Sequence, residues 1–172
     1  MVTDAITNET TVDRIWDLLD HVMDPEIPVI SVVDLGIVRD VRDGGDGLDV
    51  VITPTYSGCP AMNLFKEEIL KTLNTNGYRN VKIKLIYHPA WTTDWMSKET
   101  RQKLKEYGIA PPEKSGTNPH NLALFQNEKK IVACPFCDAE NTRLKSQFGA
   151  TACKALYFCD ACLQPFEHFK CI

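Results

Sequence analysis

Apolar residues at Val12, Ile15, Trp16, Leu19, Val22 and Met23 recur at steps of three and four, so they share one face of a helix. Thr10 with Asp13 has the spacing of a capping box, with Asp in the Glu position. Pro25 ends this helix and Pro28 keeps the chain extended. Two strands are expected next, Leu35 to Arg42 and Leu48 to Thr53, separated by the turn signal Asp43-Gly-Gly-Asp-Gly47. Leu48, Val50 and Ile52 fall on one face of the second strand. A helix follows Cys59-Pro60 and runs to about Asn76, with Met62, Phe65, Ile69 and Leu73 inward and Gly77 as its stop.

Val81 to Tyr87 alternates, with Val81, Ile83, Leu85 and Tyr87 opposite Lys82 and Lys84, the pattern of a strand with one wet face. After a loop rich in large side chains, Pro89 to Met96, a third helix spans Ser97 to Tyr107 and closes at Gly108. Pro111, Pro112, Gly116 and Pro119 then break regular structure, so a linker is expected, with Leu122, Leu124 and Phe125 as candidates to dock part of it onto a neighbouring surface. The organisation is a first domain over 10–108, a linker over 109–130 and a small domain over 131–172.

The net charge of −4 argues against a general nucleic-acid binder. From Lys129 onward, six positive residues face four negative ones, too balanced for a strong phosphate surface. No apolar run is long enough to span a bilayer, and Met1 to Thr11 lacks the basic start and apolar stretch of a secretory signal. A cytoplasmic protein without nucleic-acid or membrane partners is expected.

Six of the seven cysteines lie at or after Cys134. In a reducing compartment such clustering points to metal rather than disulfides. Cys134-Pro-Phe-Cys137 and Cys159-Asp-Ala-Cys162 are each C-x-x-C, with 21 residues between them. Two such turns, brought together by a β-hairpin, present four thiolates to one tetrahedral ion. So short a domain cannot bury enough apolar surface to fold alone, and the metal contributes folding free energy. Structural zinc is the preferred occupant. A redox iron site uses the same four thiolates and stays open.

Two tail thiols are surplus to that set. Cys153 stands beside Lys154, which could lower its pKa, and Cys171 lies one residue from the end. They are either small semi-buried side chains or a second pair that handles metal transiently. Cys59 precedes Pro60 at a helix start, where unpaired N–H groups stabilise a thiolate; a buried apolar cysteine is the plain alternative. Asp24-Pro25-Glu26 is an acidic pair on a proline-fixed turn, either a solvated loop or a source of oxygen ligands. His21, His88, His120 and His168 are scattered without metal or triad spacing, so no histidine catalysis is assigned.

The segments Asp24-Pro-Glu-Ile-Pro-Val-Ile-Ser-Val-Val-Asp-Leu-Gly-Ile-Val38 and Thr53-Pro-Thr-Tyr-Ser-Gly-Cys-Pro60 resemble the SufT/MIP-type domain associated with iron–sulfur protein maturation. With Pro89 to Met96, Tyr107 to Pro112 and the string Phe148-Gly-Ala-Thr-Ala-Cys-Lys-Ala-Leu156, the resemblance narrows to the PaaD family of phenylacetate-degradation accessory proteins, over residues 12 to 172. It implies an α/β (α+β) domain with a small mixed sheet of three to four strands and flanking helices, followed by a C-terminal β zinc ribbon. It makes Cys59 and the Asp24/Glu26 turn functional positions, and it groups Cys153 and Cys171 with the four knuckle cysteines. The resemblance places a terminal histidine in some relatives where this chain has Ile172; were that histidine a ligand, this sequence would lack it.

The same resemblance implies a role beside the multicomponent phenylacetyl-CoA epoxidase, with its di-iron oxygenase and iron–sulfur flavin reductase. The first reading is a non-enzymatic maturation factor for those centres, holding structural Zn2+ and handling iron or an iron–sulfur cluster transiently. Its partners would be the oxygenase and reductase components, iron–sulfur assembly proteins and, in a homodimer, a second copy. The alternative is a structural or adaptor component of the complex, docked through the ribbon and a Trp91/Trp95 face. A nucleic-acid ribbon and a Cys59 thiol enzyme with His88 as base are weaker options. Oxygenase chemistry itself lacks a Glu-x-x-His pair or a Gly-rich nucleotide fingerprint.

Overall fold

The computed structural model describes residues 11–44, 47–56, 58–113 and 131–170. The chain divides into two compact units: described residues up to Pro54 with 59–89, and those of 55–58 with the described chain from Ala90 onward.

The first unit holds α1 (Thr11–Asp20), β1 (Val38–Asp43), β2 (Leu48–Ile52), α2 (Ala61–Thr75) and β3 (Val81–Leu85). The sheet order is β1-β2-β3, with β1 antiparallel and β3 parallel to β2. Parallel neighbours need a crossover, and α2 supplies it. Ile15 and Leu19 of α1, Val50 and Ile52 of β2, and Phe65, Ile69 and Leu73 of α2 are all buried.

The expected elements stand, with altered bounds. Helix α1 stops at Asp20; Val22 is buried beyond it, while Met23 turns outward and bridges to Ser31. The first strand starts at Val38 rather than Leu35. The Ser31 N–H donates to Asp34 and the Asp34 N–H to the Ser31 hydroxyl, which winds this segment into turns, and Gly36 takes a φ of 66°. The third strand ends at Leu85. The Ile86 N–H still donates to Ile52, but Tyr87 is exposed, not on the covered side with Val81, Ile83 and Leu85.

The second unit holds a 3-10 turn (Thr93–Trp95), α3 (Lys98–Glu106), β4 (Ile109–Ala110), β5 (Thr142–Ser146), β6 (Lys154–Cys159) and β7 (Pro165–Phe169). The order is β4-β7-β6-β5, with β4 parallel to β7 and the other pairs antiparallel. Ser97 caps α3 by accepting from the Thr100 N–H, and Arg101 reaches from α3 to the carbonyls of Thr93 and Pro112.

Two departures from the expected organisation stand out here. Ile109 and Ala110 are a buried strand of the ribbon sheet, not linker; the His168 ring nitrogen Nδ1 meets the Ala110 carbonyl at 3.2 Å. Trp91 is buried and packs on Phe169 at 6.2 Å between ring centroids, so it is a seam residue inside this unit rather than an exposed docking anchor, while Trp95 is half-buried. Residues 114–130 of the linker expected over 109–130, with His120, Leu122, Leu124 and Phe125, lie outside the described residues, as do Thr10 and Cys171.

The string after β5 has a structural reason. Lys154 is 3% exposed, and its ammonium pairs with Glu167 at 2.8 Å. The other Glu167 oxygen accepts from the Ala150 N–H at 2.9 Å. A side chain at Gly149 would meet that oxygen at 2.6 Å, so any larger residue there displaces the Glu167 carboxylate from the pair. Glu167→Gln leaves the Lys154 charge buried without its counter-ion. It should destabilise the metal-loaded chain by about 2 kcal/mol, the quarter-exposed carboxylate tempering the cost, read as a lowered midpoint in thermal denaturation.

Candidate metal centre and the thiol positions

The two C-x-x-C turns fold alike. The Asp138 N–H donates to the Cys134 carbonyl at 2.9 Å, and the Leu163 N–H to the Cys159 carbonyl at 3.0 Å. The Cys134 N–H donates to Ala139 and the Cys159 N–H to Gln164, again at 3.0 and 2.9 Å. The residue after each knuckle adopts the left-handed region, Asp138 at φ 58° and Leu163 at φ 61°. Aspartate tolerates that conformation; leucine does so at a cost of about 1 kcal/mol. The shared backbone pattern aims each loop's N–H groups at its own cysteines.

The four sulfur atoms converge. Cys134 lies 3.6 Å from Cys162, and Cys137 lies 3.6 Å from Cys159. All four ligand atoms fall within 4.8 Å of one another. A tetrahedral ion with metal–sulfur bonds of about 2.3 Å needs sulfurs about 3.8 Å apart, so the donor set fits. Cys134 and Cys159 are buried and Cys137 is exposed, so one side of the cage opens to water.

The electrostatics point the same way. The Cys162 N–H holds the Cys159 thiolate, bringing its pKa down to about 7. Burial pushes Cys162 up to about 12, and burial likewise raises Cys134. Backbone donors ease the first deprotonation, and crowding resists the later ones. A cation removes that conflict.

The other candidates are dispersed. Cys59 is half-buried immediately before Pro60, whose φ/ψ of −67°/−26° is already helical. The Met62 N–H donates to the Cys59 carbonyl, and no side chain caps this end of α2. Asp24 is buried, and its Oδ1 accepts from the N–H groups of Glu26 and Ile27 at 2.7 and 2.8 Å, while Glu26 is exposed. That carboxylate oxygen therefore builds the proline turn. Cys153 sits with its sulfur 3.1 Å from the Thr151 hydroxyl. The Lys154 ammonium next in the chain pairs with Glu167 on the sheet. Nothing in the sequence pattern singles out Glu167 or His168, because no local spacing links them to Lys154 and Ala110. The His21 Nδ1 meets the Asp17 carbonyl at 2.7 Å, and no histidine joins the thiol cluster among the described residues.

A mixed α/β domain followed by a four-thiol β ribbon defines the class: an iron–sulfur assembly-type domain joined to a zinc ribbon. Residues 12–85 match the family described as iron–sulfur cluster assembly protein, and residues 118–170 match the PaaD zinc beta ribbon domain. In Escherichia coli (strain K12), the protein named as a subunit of the "Putative 1,2-phenylacetyl-CoA epoxidase" is 47% identical over 161 residues, covering 94% of this chain and 93% of that one. The chain belongs to the PaaD family that this relative represents. It is also 40% identical over 96 residues to the Fe-S protein maturation auxiliary factor of Porphyromonas gingivalis (strain ATCC BAA-308 / W83), covering 55% of this chain and 90% of that protein. A crystal structure of a DUF59 domain from Bacillus anthracis superposes with a TM-score of 0.50 at 27% identity, over 54% of this chain and 90% of that one. No described helix is long and apolar enough to cross a membrane.

Protons compete with the cation for the thiolates, so metal is held at neutral pH and released on acidification. In the metal-free ribbon, the stabilisation from Cys159 is present above its ordinary value and lost as pH falls through about 7. That from Cys162 runs the other way, present below its ordinary value and lost as pH rises toward about 12. Replacing any one of Cys134, Cys137, Cys159 or Cys162 by Ser should lower zinc retention by about tenfold or more and loosen the ribbon. Zinc released to a colorimetric chelator across the pH range, followed together with circular dichroism, checks both.

Proposed function

We propose that the chain is a maturation factor for the iron–sulfur or di-iron centres of the phenylacetyl-CoA epoxidase system, acting through thiols and protein contacts rather than as an enzyme. The observation that carries this reading is the pairing of two parts in one chain. One is a domain of the assembly type, whose relative is named a maturation auxiliary factor; the other is a ribbon of the PaaD type. The fold alone does not name an activity.

In this reading Zn2+ is held by Cys134, Cys137, Cys159 and Cys162 and cross-links the ribbon. Iron or an iron–sulfur cluster is cargo. Cys59 is the cargo-handling thiol, because the uncapped start of α2 directs N–H groups and a partial positive charge to its neighbourhood. Asp24 supports it by shaping the loop after α1, and Glu26 offers an exposed carboxylate. Cys153 and Cys171 are secondary thiols of the tail. Transfer is ligand exchange: client groups, thiolates at an iron–sulfur site or carboxylates and imidazoles at a di-iron site, displace Cys59 from the metal, Cys59 takes up a proton, and no net oxidation occurs. The oxygenase and reductase components are the clients, iron–sulfur assembly proteins the donors, and the reducing cytoplasm the setting.

The name of the Escherichia coli relative, as part of an epoxidase, favours a second reading, a stoichiometric adaptor of the epoxidase complex. A strain lacking the gene, complemented with the parent chain or with Cys59→Ser, separates the two. The maturation reading expects iron-poor oxygenase or reductase and low epoxidation with Cys59→Ser, while the variant stays folded and zinc-loaded. Fully loaded, active enzyme in the deletion strain would refute it.

A further inference from the structure

We propose that the outer face of the β5-β6-β7 sheet is a docking surface for an acidic segment of a protein partner. The proposal rests on the maturation reading only in taking that partner to be a client. In antiparallel register, opposed residues share a face: Arg143 with Phe158, Phe158 with Pro165, and Leu156 with Glu167. The other face carries Tyr157, Phe166 and His168, which are buried. Loop 147–150 folds over Glu167 on the outer face and bears Phe148, which is 64% exposed.

Cations gather around these two aromatic rings. The Arg143 guanidinium stands 5.0 Å and the Lys145 ammonium 5.4 Å from the centre of Phe158. The Lys170 ammonium stands 4.5 Å from the centre of Phe148 and donates to the Gln147 carbonyl. Asp160 meets Arg143 at 3.0 Å, and Glu167 is held by Lys154. Among the described residues no ion pair reaches Lys145 or Lys170, so the face carries positive charge on a chain whose net charge is −4.

The chemistry of the partner follows from how the rings are used. Bases of single-stranded nucleic acid need open aromatic faces on which to stack. Here cations already lie over Phe158 and Phe148, so the surface offers positive charge around apolar edges. Carboxylates interspersed with an aliphatic side chain complement it: the acids meet Lys145, Lys170 and Arg143, and the apolar group meets the ring edges. Such charges steer encounter and set salt dependence more than they add affinity.

The test uses the full zinc-loaded chain and fluorescence anisotropy with a short labelled peptide of glutamates around one leucine. Binding should weaken as salt rises from about 50 to about 300 mM. It should fall about tenfold or more in the Arg143→Gln/Lys145→Gln/Lys170→Gln variant, with zinc content and circular dichroism unchanged. Phe158→Ala should weaken binding as well. Cys59→Ser should bind the peptide as the parent does, so failure of the thiol reading and failure of this surface register separately. Equal binding by the triple variant overturns the proposal, as does oligothymidylate binding more tightly than the peptide.

Discussion

Four thiols within 4.8 Å of one another cannot all ionise unless a cation stands between them. The ribbon is organised around that constraint. The two knuckles repeat the same hydrogen bonds and the same left-handed residue, so each delivers one buried and one more accessible cysteine to a common centre. The hairpin of β5 and β6 carries the second knuckle back to the first, and β7 continues directly from it. With the metal bound, the loops are cross-linked; without it, the deprotonation that Cys159 favours is opposed at Cys162. A structural site of this kind also explains why its cysteines are poor candidates for cargo transfer. Giving up a ligand would loosen the sheet that holds the rest of the unit.

That reasoning moves attention to thiols whose loss leaves the architecture standing. Cys59 belongs to the first unit, where parallel pairing of β2 and β3 requires α2 as a crossover. The start of α2 therefore follows the end of β2 by a short loop, and Cys59 lies in it as a consequence of topology. The Pro60 ring removes one N–H that would otherwise lack a partner, and no side chain caps the others. Helix starts of this sort are common. What sets Cys59 apart is the assembly-type domain around it.

Local patterns carried much of this fold. The period of α1, the proline at the head of α2 and the alternation of β3 all act over a few residues, and these elements appear where those signals place them, with shorter ends on α1 and β3. The metal set was equally legible, because C-x-x-C spacing is itself a statement of loop geometry. What escaped was one local turn and two long-range contacts. Leu35 has the composition of a strand, yet Ser31 and Asp34 exchange hydrogen bonds that hold this stretch in turns. Ile109 and Ala110 sit among prolines and look like linker, but β7 offers them a parallel edge. Trp91 looks like an exposed anchor until Phe169 covers it.

Lys154 gives the sharpest case of that limit. Beside Cys153 in the chain, it invites the idea of a cation tuning a thiol. Cys153 lies in the turn before β6, and Lys154 is the first residue of that strand. Its ammonium crosses to β7 instead and, with Gly149 and the Ala150 N–H, packs the loop down on Glu167. A string that a generic zinc ribbon does not need is thus accounted for by one buried ion pair and the glycine that admits it. The same closure lifts Phe148 into solvent with Lys170 over its ring. The segment 148–156 therefore shapes the ribbon's outer surface, whereas the cysteine spacing shapes its interior.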